Sequence, residues 1–439
     1  MANVWSSEVT FENGQLHLSG ISAKDLASEF GTPSFFLDEA DFRSRATAWG
    51  HALQNTFGDN AGTVYYAAKA FICVEVARWV AECGIGLDVC TGGELAVALA
   101  AGFPPSKMEL HGNNKSVAEI EMAIENGVRT IVIDSLIEIE RVAAAAKGRG
   151  KRQRVLLRLT PGIEAHTHES IATAHEDVKF GFSIASGAAW EAITATRSHP
   201  EIELCGFHSH IGSQILSMDA FGIAADRLIG LLGRYRDEFN QELPELDLGG
   251  GYGISYLPDD DALLPSEVLP ALHSAVKEAC SIRDLKIPRV SIEPGRAIVG
   301  PSMFTLYEVG TTKEVVLEDQ GTRNYVSVDG GMSDNIRTSL YDADYTAVIA
   351  DRESSADAVQ SRVVGKHCET GDIVIRDIAL PGDIAPGDLL AVPATGAYGR
   401  SMASNYNHVP RPPIIAVLGG KARVILRRET FADLLSLDV

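Results

Sequence analysis

The sequence predicts an α/β fold, a (β/α)8 TIM-like barrel joined to an antiparallel β domain. Three observations carry this. Between residues 64 and 293, eight short apolar runs alternate with stretches of helical periodicity. After Arg296 the texture changes to alternating runs broken by Gly and Pro, the pattern of antiparallel strands. At 439 residues and 45% hydrophobic content the chain can bury a large core and fill two domains.

Taken in order, residues 9–18 alternate and are expected to join the C-terminal sheet. The β domain is then discontinuous, 1–34 and 297–439, around a barrel of 35–296. A helix over 39–53 precedes the first strand and closes the ring. Barrel strands are expected over 64–67, 86–89, 108–111, 130–133, 155–159, 206–209, 245–248 and 290–293, each a short β-branched or apolar run bounded by turn residues. Helices are expected over 74–83, 93–101, 117–126, 136–146 and 221–239. Eight such units favour a closed barrel over an open doubly wound sheet. The link 161–179 is polar, holds His166, His168 and His175, and is expected to be a mobile loop over the site. It carries neither HExxH nor facial-triad spacing, so no metal is expected. Beyond Arg296, strands are expected over 304–309, 324–328, 373–375 and 389–392, with more within 360–379 and 422–426.

The net charge of −21 argues against nonspecific binding to nucleic acid or an anionic membrane. No run of 18 apolar residues predicts a membrane span, and the first residues have neither the basic nor the apolar segment of a signal peptide. The six cysteines are scattered without a CxxC pair, which fits a reducing cytoplasm better than a disulfide framework.

Residues suited to chemistry fall at the C-terminal ends of the expected barrel strands, where barrel enzymes build their sites. Lys69 ends the first strand. Desolvated there, a lysine amine can form a Schiff base with an aldehyde; the plain alternative is a strand-end lysine pointing to water. In Gly206-Phe-His-Ser-His-Ile-Gly-Ser213, His210 can lie flat on an aromatic ring and Ser213 can meet a phosphate, or both histidines are simply core residues. The glycines of Leu246-Asp-Leu-Gly-Gly-Gly-Tyr-Gly-Ile254 let backbone N–H groups crowd an anion, and fit neither a Rossmann nor a P-loop spacing. Glu293-Pro-Gly-Arg296 offers a partner for a ring N–H and a bidentate guanidinium. Cys368-Glu-Thr-Gly-Asp372 offers a proton donor beside a carboxylate, or a structural cysteine.

These pieces resemble, in order over nearly the whole chain, the fold-III pyridoxal-phosphate-dependent decarboxylases, and within them the diaminopimelate decarboxylases. The matching segments are Tyr66-Ala-Ala-Lys-Ala70, Gly86-Leu-Asp-Val-Cys-Thr-Gly-Gly-Glu-Leu95, His111-Gly-Asn-Asn-Lys115, His208-Ser-His-Ile-Gly-Ser-Gln214, Asp247-Leu-Gly-Gly-Gly-Tyr-Gly253, Glu293-Pro-Gly-Arg296, Cys368-Glu-Thr-Gly-Asp372 and Gly396-Ala-Tyr398. The resemblance implies an alanine racemase-like barrel plus β domain, with pyridoxal 5'-phosphate as cofactor. It implies that Lys69 takes the cofactor aldehyde, with Asp88 also at the cofactor, that His210 stacks on the ring, and that Glu293 keeps the ring nitrogen protonated. Ser213, Gly250, Gly251, Gly295 and Arg296 would hold the phosphate. Cys368 would donate the proton, and Arg296, Arg337, Tyr341, Glu369 and Tyr398 would bind substrate, Tyr398 touching the cofactor too. The β domain would mediate a homodimer with shared sites, Cys368 and Glu369 reaching the partner subunit's site. The implied reaction is decarboxylation of an amino acid, meso-2,6-diaminopimelate, to L-lysine and CO2. Two arginines suit its distal carboxylate and Glu369 its ammonium, whereas ornithine, arginine or carboxynorspermidine, the substrates of related enzymes, would leave guanidiniums unmatched. Thr370, where a serine is equally expected, keeps the hydroxyl.

Overall fold

The computed structural model describes residues 4–162, 179–318 and 321–439. Nearly all of the expected 161–179 loop, including His166, His168 and His175, therefore lies outside the described residues. The chain divides into two compact units, Arg45–Gly253 with Ala262–Ala297, and Met1–Ser44 with Ile254–Asp261 and Ile298–Val439.

The first unit is the barrel. Its eight parallel strands are β1 (Ala61–Ala67), β2 (Gly86–Val89), β3 (Met108–Leu110), β4 (Thr130–Ile133), β5 (Gln153–Thr160), β6 (Ile202–His208), β7 (Glu245–Asp247) and β8 (Arg289–Ile292). Each pairs with the next, and β8 returns to β1 through Val290 opposite Ala61 and Ile292 opposite Val64, so no edge is left open. Every residue of β2, β3 and β4 is buried. Strands covered on both faces read as continuous apolar runs, which is why the sequence announced them. The helices between them bury one face each. Val117–Asn126 opens with a capping box, Ser116 and Glu119 exchanging side-chain and backbone hydrogen bonds, and closes on the left-handed Gly127.

Two more barrel helices, Ala188–Arg197 and Pro265–Ile282, stand beside those named above. In the second, Pro265 occupies the first turn, where a missing N–H costs nothing, and Pro270 lies inside the helix.

In the second unit the central strand Met303–Val316 pairs antiparallel with Thr322–Val328, Leu389–Val392 and Ser34–Asp38. Two pairings are parallel, Asn324–Ser327 with Ser361–Val364 and Ile414–Val417 with Phe35–Asp38, so the sheet is mostly rather than wholly antiparallel. Ser34–Asp38 is buried throughout and belongs to this sheet. Residues 9–18 do not join it, contrary to expectation. Asn13 and Gly14, both at positive φ, turn the chain back on itself, and Val9–Glu12, Gln15–Leu18 and Ile21–Ser22 form their own three-stranded sheet. Leu16 and Leu18 still enter the common core with Phe36, Leu306 and Ile415. Among the described residues no helix is long and apolar enough to cross a membrane.

Candidate active site

Parallel closure brings the C-terminal ends of all eight strands to one mouth. Lys69 follows β1, and its Nζ lies 3.2 Å from Oδ2 of Asp88, which is buried within β2. The lysine side chain is 37% exposed, so the amine reaches the cavity while its counter-ion stays in the barrel wall. The cavity measures about 440 Å³ and is lined by Lys69, His111, Arg158, His208, His210 and Glu293 among others, within the size range of small-molecule sites.

Glu293, just beyond β8, is the electrostatic centre. Its Oε1 lies 3.0 Å from His208 Nε2 and 3.2 Å from His111 Nε2, with all three side chains buried. Burial alone would raise the Glu293 pKa, but His111 and then His208 hold it well below the usual carboxylate range. Burial lowers His208 to about 4, more than Glu293 can offset, so His208 is neutral near pH 7. His210 is also pushed well below its usual value, first by burial and then by Lys69. Its Nδ1 accepts a hydrogen bond from the Gly250 backbone N–H at 3.2 Å, which leaves the remaining proton of a neutral ring on Nε2.

That bond belongs to a backbone cradle. A Cβ at Gly250 would stand 2.2 Å from the Glu293 carbonyl oxygen, and one at Gly295 would stand 2.8 Å from Ala67 Cβ. Both glycines are thus demanded by close approach between the β1, β7 and β8 ends. Beside them Arg296 donates to Ser213 Oγ at 2.7 Å. A hydroxyl, a guanidinium and glycine N–H groups at one strand-end cluster suit a phosphate. Gly250→Ala is expected to destabilise the protein by about 2 kcal/mol or more, because the backbone opposite cannot yield as a side chain can. Denaturant unfolding measures this, and wild-type stability in the variant would show that the cradle has room.

In the second unit Arg337 begins the short helix Arg337–Tyr341 and is buried. Its Nη1 donates to the Tyr345 hydroxyl at 2.5 Å and its guanidinium lies 4.5 Å from the Tyr256 ring centre. Burial works against its charge, yet Tyr256 and Tyr345 more than compensate and its pKa is raised. Tyr341 and Tyr398 are half-buried, Tyr398 at a φ of 61°. Cys368 and Glu369 are exposed in the turn between strands Ala358–Val364 and Ile373–Pro381. Asp372 shapes that turn by accepting from the His367 N–H at 2.7 Å, and Asn407 Oδ1 accepts from the Cys368 N–H at 3.2 Å.

The family described as "Pyridoxal-dependent decarboxylase, pyridoxal binding domain" matches residues 39–300, more than half of the chain. The chain belongs to this decarboxylase family. Within it the chain is 54% identical to a Mycobacterium tuberculosis protein named diaminopimelate decarboxylase, covering 100% of this chain and 98% of the relative. A Bacillus subtilis protein of the same name is 44% identical, with 98% and 96% covered. Among solved structures, a diaminopimelate decarboxylase from M. jannaschii in complex with L-lysine superposes with a TM-score of 0.92 at 29% identity, covering 100% of this chain and 99% of that one. A lysine/ornithine decarboxylase from Vibrio vulnificus, 24% identical with a TM-score of 0.74 over 90% of this chain and 97% of that one, shares the fold.

Nine of the residues singled out in the sequence, Lys69, Asp88, His210, Ser213, Gly250, Gly251, Glu293, Gly295 and Arg296, lie on the barrel unit; Arg337, Tyr341, Cys368, Glu369 and Tyr398 lie on the β unit. Sequence reasoning gave no role to His111, His208, Glu109 or Asp247, which the barrel buries around Glu293, or to the half-buried Arg158 of the cavity wall. The signal was alternation. Glu109 and His111 are two apart on β3 and its end, so they face the same way, and a charged pair on an otherwise apolar barrel strand marks a polar interior.

Proposed function

We propose that this family member catalyses the pyridoxal-phosphate-dependent decarboxylation of meso-2,6-diaminopimelate to L-lysine and CO2, the last step of lysine biosynthesis. The observation that carries this is the gathering of Lys69, His210 and Glu293 around one cavity, with Arg296 donating to Ser213 next to Gly295, in a chain so similar, over its full length, to relatives bearing that name. When bound, pyridoxal phosphate supplies an aldehyde and an electron-accepting ring.

The residues present fit that cofactor. Lys69 would hold the aldehyde through its amine, oriented by Asp88 at 3.2 Å. His210, fixed by Gly250, would present its face to the ring, and Glu293 its carboxylate to the ring nitrogen. Ser213, Gly250, Gly251, Gly295 and Arg296 would take the phosphate, with Tyr398 also in contact. Arg296 and Arg337 would bind the distal carboxylate of the substrate, Glu369 its distal ammonium, and Tyr341 and Tyr398 would line its path. Cys368 would carry a proton on Sγ and deliver it to the substrate α-carbon once CO2 has left. Cys368 and Glu369, exposed on the β unit, would reach the site of a partner subunit, as the resemblance implies, in a homodimer with two shared sites. Six free cysteines fit action in a reducing cytoplasm.

CO2 release measured side by side on diaminopimelate, ornithine and arginine, with pyridoxal phosphate added, tests the assignment. Turnover of diaminopimelate alone is expected, and preferred turnover of ornithine or arginine would reject it. The holoprotein should be yellow, and borohydride should then fix the cofactor to Lys69 alone. Glu369→Ala is expected to raise the KM for diaminopimelate about tenfold or more, the scale of one charge-assisted hydrogen bond, with cofactor affinity unchanged. An equal loss of cofactor would sink the substrate role.

A further inference from the structure

Glu293 does not sit alone on the barrel floor. The carboxylates of Glu109, Asp247 and Glu293, from β3, β7 and the end of β8, each offer an oxygen within 4.8 Å of the others, and all three residues are buried. Three carboxylates so close in a dry interior cannot all ionise. What decides which one does is the position of the cation. His111 Nε2 lies 3.2 Å from Glu293 Oε1, against 3.7 Å from both Glu109 Oε2 and Asp88 Oδ1. On its other side the His208 ring packs edge-on, with centroids 4.9 Å apart. Lys69 and Arg158 are the other basic groups of the cavity wall, and Lys69 is engaged with Asp88.

We propose that His111 is the fixed positive charge that keeps Glu293 a carboxylate, and that through Glu293 it sets the protonation of the cofactor ring nitrogen. This rests on the reading of Glu293 given above. His111 touches neither the substrate nor the reacting atoms in that reading; it is a positioning residue. The electrostatics agree. Burial opposes the imidazolium, yet Asp88, Glu293 and Glu109 together raise the His111 pKa. Burial raises Asp247 and Glu109, His111 works against the rise at Glu109, and the charge on Glu293 pushes both further up. Glu293 alone of the three moves the other way, and the charge of His111 is the first of the causes lowering it, ahead of His208 at 3.0 Å. Of the three carboxylates around His111, Glu293 is the nearest, and it is the one whose pKa falls.

The test uses full-length protein loaded with pyridoxal phosphate labelled with ¹⁵N in the ring, whose chemical shift reports the ring proton directly. In wild type the ring nitrogen is expected to stay protonated from pH 6 to pH 9. In His111→Gln its titration is expected to move down by more than about one pH unit, while Glu109→Gln, which leaves the ion pair in place, behaves as wild type. A His111→Gln protein whose ring nitrogen titrates as in wild type would overturn the proposal. Should that variant not fold, histidine-labelled wild-type protein without cofactor decides the matter: His111 is expected as imidazolium at pH 7.5, and a neutral His111 there overturns it. Failure of the wild-type protein to take up pyridoxal phosphate would refute the proposed function instead, and the imidazole titration would still report on His111.

Discussion

Lys69→Ala lowers the turnover of diaminopimelate on the order of 10⁴-fold or more, the scale at which enzymes lose rate when a covalent catalytic group is removed. Among the described residues of the cavity wall no other amine can replace it, since His210 and His208 are imidazoles driven toward the neutral form by burial and Arg158 cannot act as an amine nucleophile. The fold should survive. The lysine side chain is more than one-third exposed, and His111 at 3.7 Å remains near the Asp88 carboxylate after the change. Circular dichroism should therefore match wild type, and borohydride should no longer attach the cofactor to the chain. Retention of a tenth of wild-type turnover would remove Lys69 from the chemistry.

Cys368→Ala lowers kcat by about 10²- to 10⁴-fold, the range for a positioned general acid, and leaves the absorbance of the bound cofactor unchanged. The turn that carries it is held by backbone bonds to Asp372 and Asn407 rather than by the thiol, so the substitution should not move its neighbours. The two variants together test the shared site. If Lys69 and Cys368 act from different subunits, mixing Lys69→Ala with Cys368→Ala protein restores one complete site in each mixed dimer. Random exchange then returns about a quarter of wild-type activity. No recovery after verified subunit exchange would place both residues in one subunit's site.

The barrel was legible because its strands are buried on two faces and its helices on one, so period and apolarity agree at each step. The matches are close where the strand is short and wholly buried, as at Gly86–Val89 and Thr130–Ile133. Residues 9–18 had the right alternation but the wrong partner. Alternation states that a strand has one buried face, and only the turn at Asn13–Gly14 and the surrounding core decide against which strand it pairs.

The site divides along the same line. Lys69, the glycine run, Glu293-Pro-Gly-Arg296 and Cys368 were readable because each stands in a short segment whose residue types already state a chemistry: an amine, a bare backbone, a carboxylate with a guanidinium, a thiol. Glycine at 250 and 295 was likewise visible, though the reason for it was not, since the atoms a Cβ would strike belong to other strands. His111 and Asp247 stand in matching segments without a role of their own, and Glu109 stands in none. Their protonation states depend on distances among β2, β3, β7 and the end of β8, segments up to some two hundred positions apart. The chain's own order of residues therefore determined which reactive groups exist and that a barrel would present them. The closed barrel alone decided which of its buried carboxylates keeps a charge, because charge in a dry interior is set by the nearest counter-ion, and nearness here is a property of the ring of strands.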